Sequence, residues 1–184
     1  MSAIKLRTLE GGTTTVDGVA LDAIGAALRG KVLVEGAPGY DEARTIWNAM
    51  IDRKPGIIIR CQGAADVVQA IRFAATHQLL VAVRGGGHNI AGNAVCDGGL
   101  MVDLSQMKSV RVDPTSKRAW VEPGATLADL DRETQAFGLA LPTGYQLDYR
   151  HGWTDPRGRL RLDHTQIWSH DRQPYLCRRG NGGR

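Results

Sequence analysis

Val83-Arg84-Gly85-Gly86-Gly87-His88-Asn89-Ile90-Ala91-Gly92 closes the apolar run that begins at Leu79. Leu79 to Val83 reads as a buried strand. Three consecutive glycines at its end predict a sharp turn with bare backbone amides, because no Cβ stands between those N–H groups and a ligand. Arg84 adds a fixed positive charge, and His88 adds a titratable, nucleophilic imidazole at the mouth of the loop. Together they predict a loop that cradles a phosphate-bearing cofactor and can bond to it covalently. The spacing is neither G-x-G-x-x-G opening a helix nor a P-loop ending in Gly-Lys-Ser/Thr. The plain alternative is a glycine-rich hairpin with a histidine at its edge.

Around this loop the pattern is regular. Val19–Leu28 predicts a short helix, Lys31–Glu35 a turn or short strand, and Gly36–Asp41, with Pro38 and Gly39, a loop. Ile57–Cys61 is a β-branched run that predicts a buried strand. Ala64–His77 carries Val67, Val68, Ile71, Phe73 and Ala74 at helical spacing. With the strand before the glycines this gives a strand–helix–strand unit, for which a right-handed crossover and a parallel pair are expected. Gly99–Leu104 predicts the next strand. Ser109–Asp113 and Arg118–Glu122, joined by Pro114–Lys117, read as a hairpin. Thr126 and Asp129 have capping-box spacing for a helix through Phe137, stopped by Gly138, and Leu139–Thr143 continues as an extended segment. Trp47, Met107 and Trp120 are expected in the core.

At 184 residues the chain is long enough for one domain or two small lobes. No apolar run is long enough for a membrane span, and Met1–Glu10 lacks the pattern of a secretory signal, so a cytoplasmic location is expected. Cys61, Cys96 and Cys177 form no C-x-x-C pair and imply neither a disulfide framework nor a zinc site. The net charge of +4 is not spread along the chain: residues 145–184, with 8 Arg and 4 Asp, carry all of it. That tail contains no Ala, Val, Lys, Glu, Met or Phe. A basic tail with aromatics fits nucleic-acid binding by charge, but this one has no motif and too few aliphatic residues to build a core.

Four segments in order, V-R-G-G-G-H-N-I-A-G, G-G-L-M-V-D-L-S-Q-M, V-E-P-G-A-T-L-A-D-L and G-L-A-L-P-T-G, resemble the N-terminal FAD-binding domain of berberine-bridge-enzyme-like oxidases. These are flavoproteins with a PCMH-type FAD domain, related to vanillyl-alcohol oxidase. The resemblance covers residues 35–144. It implies an α+β fold: a two-lobed PCMH-type domain of which this chain holds the N-terminal part, a strand–helix–strand lobe and the start of a mixed β lobe. Residues 1–34 are then an N-terminal helical extension. It also implies that Arg84, Gly85, Gly86, Gly87, His88 and Asn89 wrap the FAD pyrophosphate, with Gly92 continuing that wall. His88 takes the family's position for a covalent bond to the 8α carbon of the flavin. No cysteine stands where a second flavin bond would form. Asp103 and Ser105 fall where the family's D-L-S segment approaches the cofactor, although a strand-end turn cap and a helix N-cap are common uses of such residues. Gly124, Pro142, Thr143 and Gly144 are implied on the adenine and pyrophosphate side. The implied chemistry is hydride transfer from a substrate C–H bond to flavin N5, with dioxygen as acceptor. Substrates of the family include sugars, alcohols and alkaloid-like amines.

After Gly144 the resemblance stops. The family continues with a second glycine-rich stretch, T-G-x-A-G-L-T-L-G-G-G-F-G-W. Back-translating Tyr145–Arg184 and reading one base later permits I-N-S-T-T-G-M-A-G-L-T-L-G-G-G-F-G-W and onward, with Trp153 and Trp168 both becoming glycine. The tail is therefore expected to be an out-of-frame translation, caused by one extra base near the Gly144 codon, and to be disordered. His151, His164, His170 and Cys177 then make no metal site. The chain is expected to be a truncated form without its own turnover. Its rivals are a non-catalytic remnant that binds FAD weakly or not at all, and a small basic nucleic-acid-binding protein.

Overall fold

A computed structural model describes residues 2–140 and the backbone of Cys177–Arg178. The chain divides into two units, Met1–Met107 and Lys108–Arg184.

In the first unit the parallel strands are β4 (Ile57–Arg60), β5 (Val81–Arg84) and β6 (Leu100–Asp103), with β3 (Lys31–Leu33) antiparallel on the edge, in the order β3-β4-β6-β5. Ile57, Ile58 and Ile59 are all fully buried, as are Leu100 and Met101. Such uninterrupted apolar runs belong to strands covered on both faces. Ile57, Ile59, Leu100 and Val102 pack on one face with Leu21 and Ile24 of α1 (Gly18–Ala27) and Ala70 and Ala74 of α3 (Ala64–Thr76). Ile58 and Met101 pack on the other face with Tyr40 and Ala43 of α2 (Tyr40–Arg44), Ile46 and Val95. Two-sided burial therefore fixes the register, since a one-residue slip would exchange the two sets.

The expected parallel pair of β4 and β5 is corrected in one respect: the two run parallel, but β6 lies between them and bonds to both. The strand buried at every position, β6, lies between them, while half-buried β5 takes the edge. Residues 1–34 hold more than a helix. β1 (Ile4–Arg7) and β2 (Thr13–Val16) form an antiparallel hairpin that places Leu6 and Val16 in the core. α1 is capped by Asp17, whose Oδ1 accepts from Ala20 N at 2.7 Å, and β3 joins the central sheet. α2 also begins inside the segment read as a loop.

Asp66, in the first turn of α3, ties that helix to the α1–β3 turn. Its buried carboxylate accepts from the amides of Gln62 at 2.9 Å, Arg29 at 3.0 Å and Gly30 at 3.0 Å. Burial pushes its pKa up, but the three amides outweigh burial and hold it below the usual carboxylate value. Gly30 has no room for a side chain, since a Cβ would lie 1.9 Å from the carbonyl oxygen of Arg60.

In the second unit β7 (Val110–Asp113) and β8 (Arg118–Val121) form the expected hairpin, with Arg111 opposite Trp120 and its guanidinium 4.3 Å from the ring centroid. The expected capping box is present: Thr126 accepts from Asp129 N at 3.2 Å, and Asp129 accepts from Thr126 N at 2.9 Å. It opens α4 (Leu127–Gln135), which ends two residues before Phe137, and Gly138 reverses the chain at φ +64°. β9 (Leu139–Ala140) pairs antiparallel with the backbone of β10 (Cys177–Arg178), inside the tail for which disorder was expected. The rest of that tail lies outside the described residues.

Asp66→Ala removes the acceptor of three amides, and at ~1–3 kcal/mol for an unsatisfied buried group the variant should lose about 3 kcal/mol in urea unfolding at neutral pH. Because the folded-state pKa is depressed, the contribution is complete above the unfolded-state value and is lost as pH falls through the folded one. The stability gap between the natural chain and Asp66→Asn should therefore narrow in acid. An equal gap at every pH would contradict this account.

Candidate functional site

The parallel register sets Arg60, Asp103 and Arg84 side by side at the carboxyl ends of β4, β6 and β5. In open sheets of this kind ligands bind outside those ends. Asp103 is 0% exposed. Its Oδ1 accepts from Arg84 Nη1 at 3.2 Å and from Ser105 N at 3.0 Å, and its Oδ2 accepts from Arg60 Nε at 3.0 Å and from Ser105 Oγ at 3.1 Å. A second hold on Arg84 comes from Thr45, whose carbonyl accepts from Nη2 at 3.1 Å. Nε of Arg84 is buried and has no acceptor among the described residues.

The glycine loop leaves this point. Among the described residues, the amides of Gly85, Gly86 and Gly87 donate to no acceptor. Gly87 has φ +73°, and a Cβ there would lie 3.4 Å from Arg84 Nε and 3.4 Å from Ile46 Cγ2. The carbonyl of Gly87 accepts from Trp47 N at 3.1 Å. His88 is half-buried, with Nδ1 shielded from solvent. Asn89 is exposed and turns the chain: its side chain accepts from Asn93 N at 3.1 Å and its carbonyl from Gly92 N at 3.0 Å. Arg53 then holds the far side, Nη1 donating to the carbonyls of Gly92 at 3.1 Å and Val95 at 3.0 Å.

The structure thus gathers Arg84, Gly85, Gly86, Gly87, His88, Asn89, Gly92, Asp103 and Ser105 in the first unit. Gly124 lies in the second unit, buried in the turn after β8. Pro142, Thr143 and Gly144 lie outside the described residues. Arg60, Arg53 and Thr45 were not foreseen. A signal for Arg60 did exist, a charge ending a strand of three isoleucines, but nothing local pairs it with a carboxylate 43 residues away. Met107 is in the core as expected, whereas Trp47 is 67% exposed, beside the loop it bonds through its backbone. Burial pushes the Cys61 thiol up to about 12 and the Cys96 thiol up to about 11. No group of residues that could hold a metal ion occurs among the described residues, and none of their helices is long and apolar enough to cross a membrane.

Among the described residues, three successive amides and a guanidinium N–H without an acceptor, with Gly87 at positive φ, suit the donor side of a phosphate site. Fold and loop define an α+β domain built to hold a phosphate-bearing ligand at the ends of parallel strands. Residues 55–149 match the family described as the FAD binding domain. An (R)-6-hydroxynicotine oxidase of Paenarthrobacter nicotinovorans is 37% identical over 118 residues, 64% of this chain and 26% of that protein. An FAD-linked oxidoreductase of Dictyostelium discoideum is 38% identical over 120 residues, 65% of this chain and 26% of that protein. Among solved structures, 6-hydroxy-D-nicotine oxidase from Arthrobacter nicotinovorans superposes with TM-score 0.64 at 35% identity, covering 67% of this chain and 27% of that one. Aclacinomycin oxidoreductase does so with TM-score 0.60 at 30% identity, covering 68% and 26%. The chain belongs to the FAD binding domain family of FAD-linked oxidoreductases, and it spans about a quarter of the length of these relatives.

Gly87→Ala places a side chain in the left-handed region, which costs roughly 1–2 kcal/mol. Gly63, before α3, has extended backbone, and a Cβ there would meet nothing within 4 Å. In urea unfolding Gly87→Ala should therefore be destabilised by about that amount, while Gly63→Ala should be neutral or slightly stabilised.

Proposed function

We propose that this chain is the FAD-holding part of a flavin-dependent oxidoreductase that oxidises a C–H or C–OH bond of a small organic molecule and passes the electrons to dioxygen. The observation that carries this reading is the row of amides at Gly85–Gly87, which have no acceptor among the described residues, beside Arg84. Those amides, with Asn89 and Gly92 shaping the turn, would receive the FAD pyrophosphate; the family resemblance alone supports a role for Gly124, Pro142, Thr143 and Gly144 toward the adenine and pyrophosphate part of FAD. Bound FAD would supply the hydride acceptor. The residues of the chain would fix its position, exclude water from the pyrophosphate and present the imidazole of His88. His88 is proposed as the flavin tether. That bond replaces one hydrogen on an imidazole nitrogen and one on the 8α carbon, with dioxygen as acceptor for the two electrons and two protons.

Relatives named as 6-hydroxynicotine oxidases, together with a chitooligosaccharide oxidase and a grass pollen allergen with glucose dehydrogenase activity among the similar structures, support a small-molecule substrate. Turnover is proposed for the whole protein and not for these 184 residues alone. We propose a cytoplasmic location, and no role for nucleic acid. We also propose that residues 145–184 are translated out of frame; the family match ends five residues into that stretch, at residue 149. Sequencing the gene across the Gly144 codon checks this, and an unshifted frame there disproves it.

The purified chain should be yellow or take up FAD, and bound flavin should survive denaturation in the natural chain but not in His88→Ala. A colourless chain that takes up no FAD and binds DNA in a salt-sensitive manner would overturn the reading.

A further inference from the structure

Asp103 was expected to approach the cofactor, yet its geometry leaves it nothing to offer one. A carboxylate has about four lone-pair directions, and all are in use: two on Oδ1, for Arg84 and the Ser105 amide, and two on Oδ2, for Arg60 and the Ser105 hydroxyl. Side-chain exposure is 0% for Asp103, 14% for Arg84 and 21% for Arg60. The two cations, on the strands that flank β6, repel each other unless a negative charge lies between them, and a buried carboxylate needs those cations in turn. The same clamp determines which edge of the Arg84 guanidinium is used. Nη1 goes to Asp103 and Nη2 to Thr45, so Nε beside Gly87 is left without an acceptor among the described residues.

We propose that Asp103 is a positioning residue for the pyrophosphate seat: it holds Arg84 with one guanidinium edge unspent next to the bare amides of the glycine loop, and touches no ligand itself. Arg60 is the counterweight that keeps Asp103 central between the two strands. This inference rests on the reading of the loop as the FAD pyrophosphate site, but the clamp can be tested without ligand.

In the ligand-free chain the Nε–H of Arg84 should give a protected arginine side-chain resonance, which Asp103→Asn shifts to the position of free arginine. An unchanged resonance overturns the proposal. Calorimetric titration with inorganic pyrophosphate, adenosine diphosphate and FAD gives a second readout. Asp103→Asn should weaken all three by a similar factor of about tenfold, comparable to one lost charge-assisted hydrogen bond. A loss confined to adenosine diphosphate and FAD, with pyrophosphate unaffected, would mean that Asp103 contacts the ligand directly and would overturn the proposal. In an Arg84→Gln background, Asp103→Asn should change affinity by less than about twofold, because both act through one group. A full additive loss would mark a merely structural role and overturn it.

If thermal melting shows that Asp103→Asn does not fold, Arg84→Lys decides. Lysine keeps the charge but cannot bond Asp103 and Thr45 in one plane, so it should bind pyrophosphate as poorly as Arg84→Gln. Binding equal to that of the natural chain overturns the proposal. If the natural chain binds none of the three ligands, the FAD reading fails and the Arg84 resonance alone decides the clamp.

Discussion

A single buried carboxylate joins the ends of three parallel strands. Asp103 has no solvent, so its charge is tolerable only with cations at hydrogen-bond distance, and removing one partner from such a cluster typically costs about 3–5 kcal/mol. The strand order makes the pairing possible. Because β6 sits between β4 and β5, its last residue can take an arginine from either side. Had β4 and β5 paired directly, Arg60 and Arg84 would have been adjacent with no charge between them. The correction to the expected topology and the construction of the site are therefore the same fact.

From this anchor the loop is held outward in stages. Thr45 and Trp47 engage Arg84 and Gly87, and Arg53 fixes the carbonyls of Gly92 and Val95. The segment after α2 thus acts as a splint for a run of glycines that would otherwise carry large conformational entropy. Bare amides are useful to a ligand only when they stay where they are, because ordering them at the moment of binding reduces affinity.

The sequence revealed most where one physical signal dominated. Ile57–Ile59 and Leu100–Val102 read as strands from their apolar, strand-length runs, and the Thr126–Asp129 spacing named its own helix start. The glycine loop was legible because positive φ and missing Cβ atoms demand glycine. The N-terminal hairpin was not, since Ile4–Arg7 and Thr13–Val16 each bury one main residue and are largely polar or exposed elsewhere. Their pairing is a tertiary outcome. Trp47 misled because aromatic residues are usually buried, whereas here the backbone does the bonding and the ring is left outside. Asp103 was found as a residue, but its use was hidden: whether an acid faces a ligand or two arginines depends on strands 43 and 19 residues away in sequence.

The burial of Cys61 and Cys96, the two cysteines whose side chains are described, has a chemical consequence of its own. Under the proposed function, electrons passed to dioxygen would give peroxide, and peroxide attacks thiolates in preference to thiols. Cys61 and Cys96, with pKa values pushed to about 12 and about 11, stay protonated and walled off by the sheet and its loop. The packing that builds the strands thus also keeps these two thiols in the form that such an oxidant would attack least.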